Sequence, residues 1–156
     1  MNLNDNPRAS TLAVTNGGVI MDADGEEDFE ITETNLIFII DGLFYTVASD
    51  DGDIKLDGFT ITSKYSALFL ACVSTAGTIT VTKSAEVLNA DITNGIAVLH
   101  WPVPTAGTCP FAGMVVTNDS DAVFTGGTTD LDATDITETV YDLSTIPATP
   151  IAAVAT

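Results

Sequence analysis

The sequence predicts an all-β fold, a single antiparallel β-sandwich or barrel-like domain, and three observations carry that prediction. Asp41-Gly42 separates two runs of β-branched and aromatic residues in NLIFIIDGLFYTVA. That dipeptide suits a type I′ hairpin turn, which needs positive φ at both central positions. A Gly-ended loop, Thr75-Ala76-Gly77, separates a second pair of runs in YSALFLACVSTAGTITVTK. Threonine occurs 24 times, a β-branched choice that favours strands and disfavours helix, and helical periodicity is weak throughout.

The elements follow in chain order. Residues 1–30 are polar, Gly-rich and acidic, with two short apolar pieces, TLAV and GVIM, and read as an N-terminal arm or as edge strands. In the first hairpin a two-residue loop sets the register by arithmetic. Ile40 faces Leu43, Phe38 faces Tyr45 and Leu36 faces Val47, while Ile37–Thr46 and Ile39–Phe44 share the other side. In the second, a three-residue loop with Gly77 left-handed pairs Val73 with Ile79 and Ala71 with Val81. Thr78, Thr80 and Thr82 then fall on the face of Cys72, Leu70 and Leu68. Residues 65–73 are therefore apolar on both sides, the pattern of a strand covered on both faces, either central in a sheet or at an interface. Short strands are further expected at 95–101 (GIAVLHW), 111–117 (FAGMVVT) and 122–126 (AVFTG), separated by Asn-Gly, Pro-rich and Asn-Asp-Ser-Asp turns. The domain core spans 31–147, and residues 148–156 form an extended Pro- and Ala-containing tail.

Composition narrows the function. With 156 residues the chain is one domain in size and can bury roughly 70% of its unfolded surface. Four Lys+Arg against 22 Asp+Glu give a net charge of -18, yet 46% of residues are hydrophobic. Disorder needs low hydrophobicity together with high charge, so this is a folded domain with an acidic coat. Such a coat repels nucleic-acid phosphates and anionic lipid, which excludes nucleic acid as a direct partner and gives no hold on a membrane surface. The start, MNLNDNPRAST, has no basic segment followed by an apolar one, and no run of about 18 uncharged apolar residues occurs. Synthesis as a soluble cytoplasmic product is expected.

A search for chemistry returns little. Cys72 and Cys109 are too few for a disulfide framework and lack the companions of a zinc site; Cys72, inside YSALFLACV, reads as a small buried hydrophobe. A bridge between the two stays open. His100 stands alone, without a nucleophile motif nearby, and reads as structural. Neither a phosphate-cradling loop nor a dinucleotide fingerprint is present. No catalytic residue and no cofactor are expected. Acidic clusters supply weak calcium candidates: Asp22 and Asp24 in DADGEED, Asp50, Asp51 and Asp53 in SDDGD, and Asp130, Asp132 and Asp135 in DLDATD. None has EF-hand spacing, and Asp, Gly and Asn also dominate turns, so solvated turn is the first reading of each. Trp101 and Phe111 are the candidates for exposed recognition aromatics, and both also fit a core.

The blocks GTITVTKS and GMVVTNDSDAVFTGGTTDLDATDITETVYDLSTIP, in that order, resemble a pattern of small virion structural proteins of tailed bacteriophages. The shared features are a Gly-Thr-x-Thr-Val-Thr-Lys strand, a later apolar strand, Phe-Thr-x-Gly-Thr-Thr-Asp-Leu, and a closing Tyr-Asp-x-Ser-x-x-Pro. The match spans roughly residues 35–147, with PFAGMVV only similar to the corresponding segment of such families. The resemblance implies a non-enzymatic capsid decoration (cement) or head-fibre protein. Its partner would be the major capsid protein, its assembly a small homo-oligomer with a trimer favoured, and its location the capsid surface of the virion after synthesis in the host cytoplasm. A head- or tail-fibre domain that binds a host surface is the alternative, and a calcium-binding surface β domain the third.

Overall fold

The computed structural model describes residues 11–15, 17–21, 28–32, 35–48 and 54–144. Its strands are β1 (Leu12–Ala13), β2 (Val19–Met21), β3 (Phe29–Ile31), β4 (Asn35–Ile40), β5 (Leu43–Ala48), β6 (Thr60–Ile61), β7 (Tyr65–Ser74), β8 (Ile79–Lys83), β9 (Val87–Leu88), β10 (Thr108–Asn118), β11 (Phe124–Thr125) and β12 (Ile136–Asp142). One five-residue helix, α1 (Asn89–Thr93), follows β9.

The Asp41-Gly42 turn forms as its chemistry requires. Asp41 has φ 51° and Gly42 φ 78°, and the register is Ile40–Leu43, Phe38–Tyr45 and Leu36–Val47. Leu36, Phe38 and Ile40 are buried on the inner side, and Phe38 stacks on Tyr45 with ring centroids 5.7 Å apart. The second hairpin also keeps the expected register, Val73–Ile79 and Ala71–Val81, with Gly77 at φ 81°.

These hairpins belong to different sheets. One sheet has the order β1-β4-β5; the other runs β12-β10-β7-β8, with β9 also paired to β7. All pairings are antiparallel, and two small two-stranded sheets, β2-β3 and β6-β11, complete the described architecture. Between the layers lies one core in which Phe29, Ile31, Leu36, Phe38, Phe69, Phe111, Met114 and Phe124 are buried together. No sheet closes on itself among the described residues. The arrangement is sandwich-like rather than a barrel.

Within the two N-terminal apolar pieces the structure shows two short strands, β1 and β2. Too short to stand alone, they borrow ladders: Leu12 and Ala13 pair with Ile39 and Phe38, and Val19–Met21 pairs with Phe29–Ile31. Thr15 extends the first of these, its hydroxyl accepting from the Ile37 N–H at 2.8 Å. The tail 148–156 lies outside the described residues.

The Thr-, Gly- and Asp-rich segment after β10 proves to be framework. Asn118, fully buried, donates its side-chain amide to the carbonyls of Ile61 (3.1 Å) and Ala122 (2.9 Å), and its Oδ1 accepts from the Ser120 N–H at 3.0 Å. One side chain thus joins the end of β6 to the turn of TNDSD. Gly126 brings its backbone so close to Leu56 that a Cβ would strike the Leu56 carbonyl. From there Leu131 enters the core and the chain closes the large sheet as β12, a strand the sequence reading did not assign. The expected strand 122–126 shrinks to Phe124–Thr125 for a related reason: its only partner, β6, is two residues long.

Substituting Gly42 tests the first hairpin. Nothing lies within 4 Å of a Cβ built there, so the cost of Gly42→Val is conformational strain at positive φ, on the order of 1 to 3 kcal/mol. A urea titration should show the midpoint falling accordingly; an unmoved midpoint would contradict the turn.

Candidate interaction surface

β7 explains where the surface arises. Its ten residues carry no charge, and Ser66 through Val73 are all buried. Side chains of a strand alternate between faces. Ala67, Phe69, Ala71 and Val73 enter the inter-sheet core; Leu68, Leu70 and Cys72 point the other way and are nonetheless buried. The strand is central, flanked by β10 and by β8 and β9, so the doubly apolar pattern marks internal cover rather than an interface of β7 itself.

The cover is the connection from β9 to β10. It starts at Asn89, whose Oδ1 accepts from the Ser66 hydroxyl at 2.8 Å, with Ser66 also bonded to Thr117 across the sheet at 2.9 Å. α1 ends after one turn, where the N–H groups of Asn94 and Gly95 reach the carbonyls of Ala90 and Ile92. The chain then runs over the outer face without turn or sharp bend from Ala97 to Thr105. Tyr141, Gly113, Leu70 and Thr82 form one row across the four main strands, and Gly113 leaves a gap in it. The Trp101 ring occupies that gap, edge-on to Tyr141 with centroids 6.2 Å apart and planes at 84°. Farther along, Cys72 meets the Thr105 backbone and the Thr108 side chain. Residues 89–107 are the lid on the second face of β7.

This corrects one expected strand. Within GIAVLHW, Gly95 closes the turn after α1 and Ile96 is a bend; from Ala97 the exposure alternates as a strand's does, with Ala97 and Leu99 half-buried and Val98 and His100 exposed. The segment lies on a sheet face rather than beside a strand, however, so it has no ladder. Val98 through Pro104 hydrogen-bond to no described residue. Apolar side chains consequently stand in solvent: Val103 is 85% exposed, Ile96 73% and Trp101 47%. Trp101 is half-exposed rather than core, whereas Phe111 is buried. Residues 92–118 form the longest stretch of the chain without Asp, Glu, Lys or Arg. A neutral apolar strip on a protein of charge -18 is the kind of patch that marks a contact surface. The sequence signal is that uncharged length together with Pro102 and Pro104, of which only 95–101 reads as a short strand.

The remaining candidates do not join this surface. Cys109 lies opposite Val73 and faces the core, while Cys72 faces the lid, so the two thiols are on opposite sides of the sheet and both are free. Burial pushes the Cys72 thiol up, only partly offset by its hydrogen bonds to Thr108 and Thr105. Burial, and then the neighbouring Cys72, pushes Cys109 up to about 12. Thiols so protonated are poor nucleophiles at neutral pH. His100 is exposed on the lid and hydrogen-bonds to no described residue. Asp130, Asp132 and Asp135 are exposed in the loop before β12, and among the described residues no three His, Cys, Asp or Glu are grouped to hold a metal. Asp22, Asp24, Asp50, Asp51 and Asp53 lie outside the described residues.

Two cations are already engaged. Lys64 pairs with Asp121 at 3.0 Å, and Lys83 bridges Glu86 and the Thr60 carbonyl. Burial alone would raise the Glu86 carboxyl, but hydrogen bonds from Lys83 and Thr62, with the Lys83 charge, outweigh it and hold the group below its usual range.

The fold and this surface together define an all-β, sandwich-like protein with a neutral apolar lid. No protein-family model, curated protein or solved structure matches the chain.

Trp101 is the only tryptophan, so its emission reports the lid directly. In Gly113→Ala the new methyl would collide with Cη2 and Cζ3 of the ring. Overpacking of this kind costs about 1 to 3 kcal/mol. The expected result is a red-shifted native emission as the ring leaves the sheet. Emission identical to the wild type would contradict the seating of Trp101.

Proposed function

We propose that the chain is a structural protein of the bacteriophage virion, acting by contact rather than catalysis. In this reading it decorates and braces the capsid exterior as a small homo-oligomer, a trimer favoured, bound to the major capsid protein. The observation that carries the proposal is the lid: an uncharged, apolar strip on a strongly acidic β framework. Such a division of surface serves one defined protein contact while the remaining charge opposes nonspecific association.

The resemblance to virion proteins adds the context. Its blocks fall on β8, on β10, on the buried Asn118 turn, on the Gly126 approach and on β12, which are the parts that fix the large sheet. The mechanism is linkage: a protein that binds only the assembled lattice stabilises that lattice by mass action. No cofactor enters, and calcium is not required.

A second reading, a head- or tail-fibre domain that binds a host surface, is favoured by one observation. Trp101 is a half-exposed aromatic on a connecting segment, where receptor contacts concentrate.

Quantitative mass spectrometry of purified particles from the source culture tests both. Hundreds of copies per particle are expected for decoration. A handful supports the fibre reading, and absence from particles overturns the virion assignment.

A further inference from the structure

Two features lack partners among the described residues, and each supplies what the other lacks. The lid segment Ala97–Val103 runs without turn or bend and has no ladder among the described residues. Among the described residues, β5 is a sheet edge with no strand paired on its outer side. In the hairpin the residues flanking the turn, Ile40 and Leu43, form a hydrogen-bonded pair. Leu43, Tyr45 and Val47 therefore bond to β4, and Phe44, Thr46 and Ala48 turn their N–H and C=O groups outward. None of those outward groups hydrogen-bonds to a described residue. In an extended segment successive N–H groups alternate between the two edges, so Leu99, Trp101 and Val103 share one edge, while Pro102 and Pro104 remove donors from the other. The lid can pair on one side only.

The side chains agree with the backbones. Leu43 is exposed and Phe44 is 70% exposed, an unusual apolar load for a free edge strand. Charge limits where a second copy can dock. Any second copy carries the same -18, so copies can meet only where neither presents charge. Residues 92–118 and 42–48 are both uncharged, and both are apolar where exposed.

We propose that the lid strand of one copy adds to the β5 edge of the next, making a head-to-tail interface between copies of this chain. Strand addition of this kind draws contact from main-chain hydrogen bonds and register from alternate side chains. Because the two surfaces differ, the interface is heterologous, and such contacts close into rings when the rotation permits. The inference rests on the oligomeric part of the function proposed above and is independent of the location on a virion.

Sedimentation of the full chain tests it with exposed-site variants. Val103→Asp alters the lid and Phe44→Asp alters the β5 edge, while Val123→Asp, also exposed but on neither surface, is the control. The wild type and V123D should sediment as the same oligomer, and V103D and F44D each as a monomer with an unchanged thermal midpoint. Mixing the two monomeric variants is the decisive arm. The intact lid of F44D can seat on the intact edge of V103D, so the mixture should form a 1:1 dimer and stop there. A wild-type monomer at all concentrations overturns both this inference and the oligomeric reading. A wild-type oligomer that survives V103D or F44D, or a mixture that stays monomeric, overturns the head-to-tail interface and leaves the oligomeric reading standing.

Discussion

Burial of β7 on both faces is the constraint from which the rest of the architecture follows. A ten-residue strand whose interior holds Leu68, Phe69, Leu70, Cys72 and Val73 cannot present either side to water without exposing several large apolar groups. Each such group is worth about 1.5 to 3 kcal/mol in burial. The chain meets the demand with two different covers. The β1-β4-β5 sheet supplies Leu36, Phe38 and Ile40 to one face, and the connection 89–107 is drawn across the other. Using a single extended segment as a layer has a structural consequence. One sheet can hide two faces, but a lone strand hides only the face beneath it, so its outer side chains stay wet.

The hairpins were fully legible in the sequence because turn chemistry acts locally. Asp41-Gly42 and Thr75-Ala76-Gly77 determine loop length, loop length determines register, and register assigns each side chain to a face. The double apolarity of 65–73 was legible for the same reason, being a pattern within one strand. The lid was not legible, since strand periodicity reports that one side is covered and cannot say whether by a neighbouring strand or by a sheet face. GIAVLHW has the alternation of a ladder strand and the position of a lid. β12 was missed for the opposite reason: ITETVYD has only a diluted apolar pattern, and its pairing with β10 from Ala112–Asp142 to Asn118–Ile136 is set by tertiary context.

The acidic, threonine-rich segment before β12 combines sequence features that invite a chemical role with a structure that gives a mechanical one. Asn118 stitches the end of β6 to the next turn, and Gly126 lets two backbones approach. Its exposed Asp130, Asp132 and Asp135 contribute to the coat. Coat and neutral surfaces then divide the exterior, the coat discouraging contact over most of it and the uncharged lid and β5 edge permitting it. That division is what the proposed structural role would use.

β7 has two independent covers, and its Cys72 and the neighbouring Cys109 of β10 report on them separately. Cys72 lies under the lid and Cys109 in the inter-sheet core, and both are fully buried. Native-state thiol labelling followed by peptide mapping should find neither modified in the wild type. In Trp101→Ala, which removes the ring seated on Gly113, Cys72 should become labelled while Cys109 stays protected. Labelling of both thiols at one rate, or of neither, would contradict a lid that covers the second face by itself.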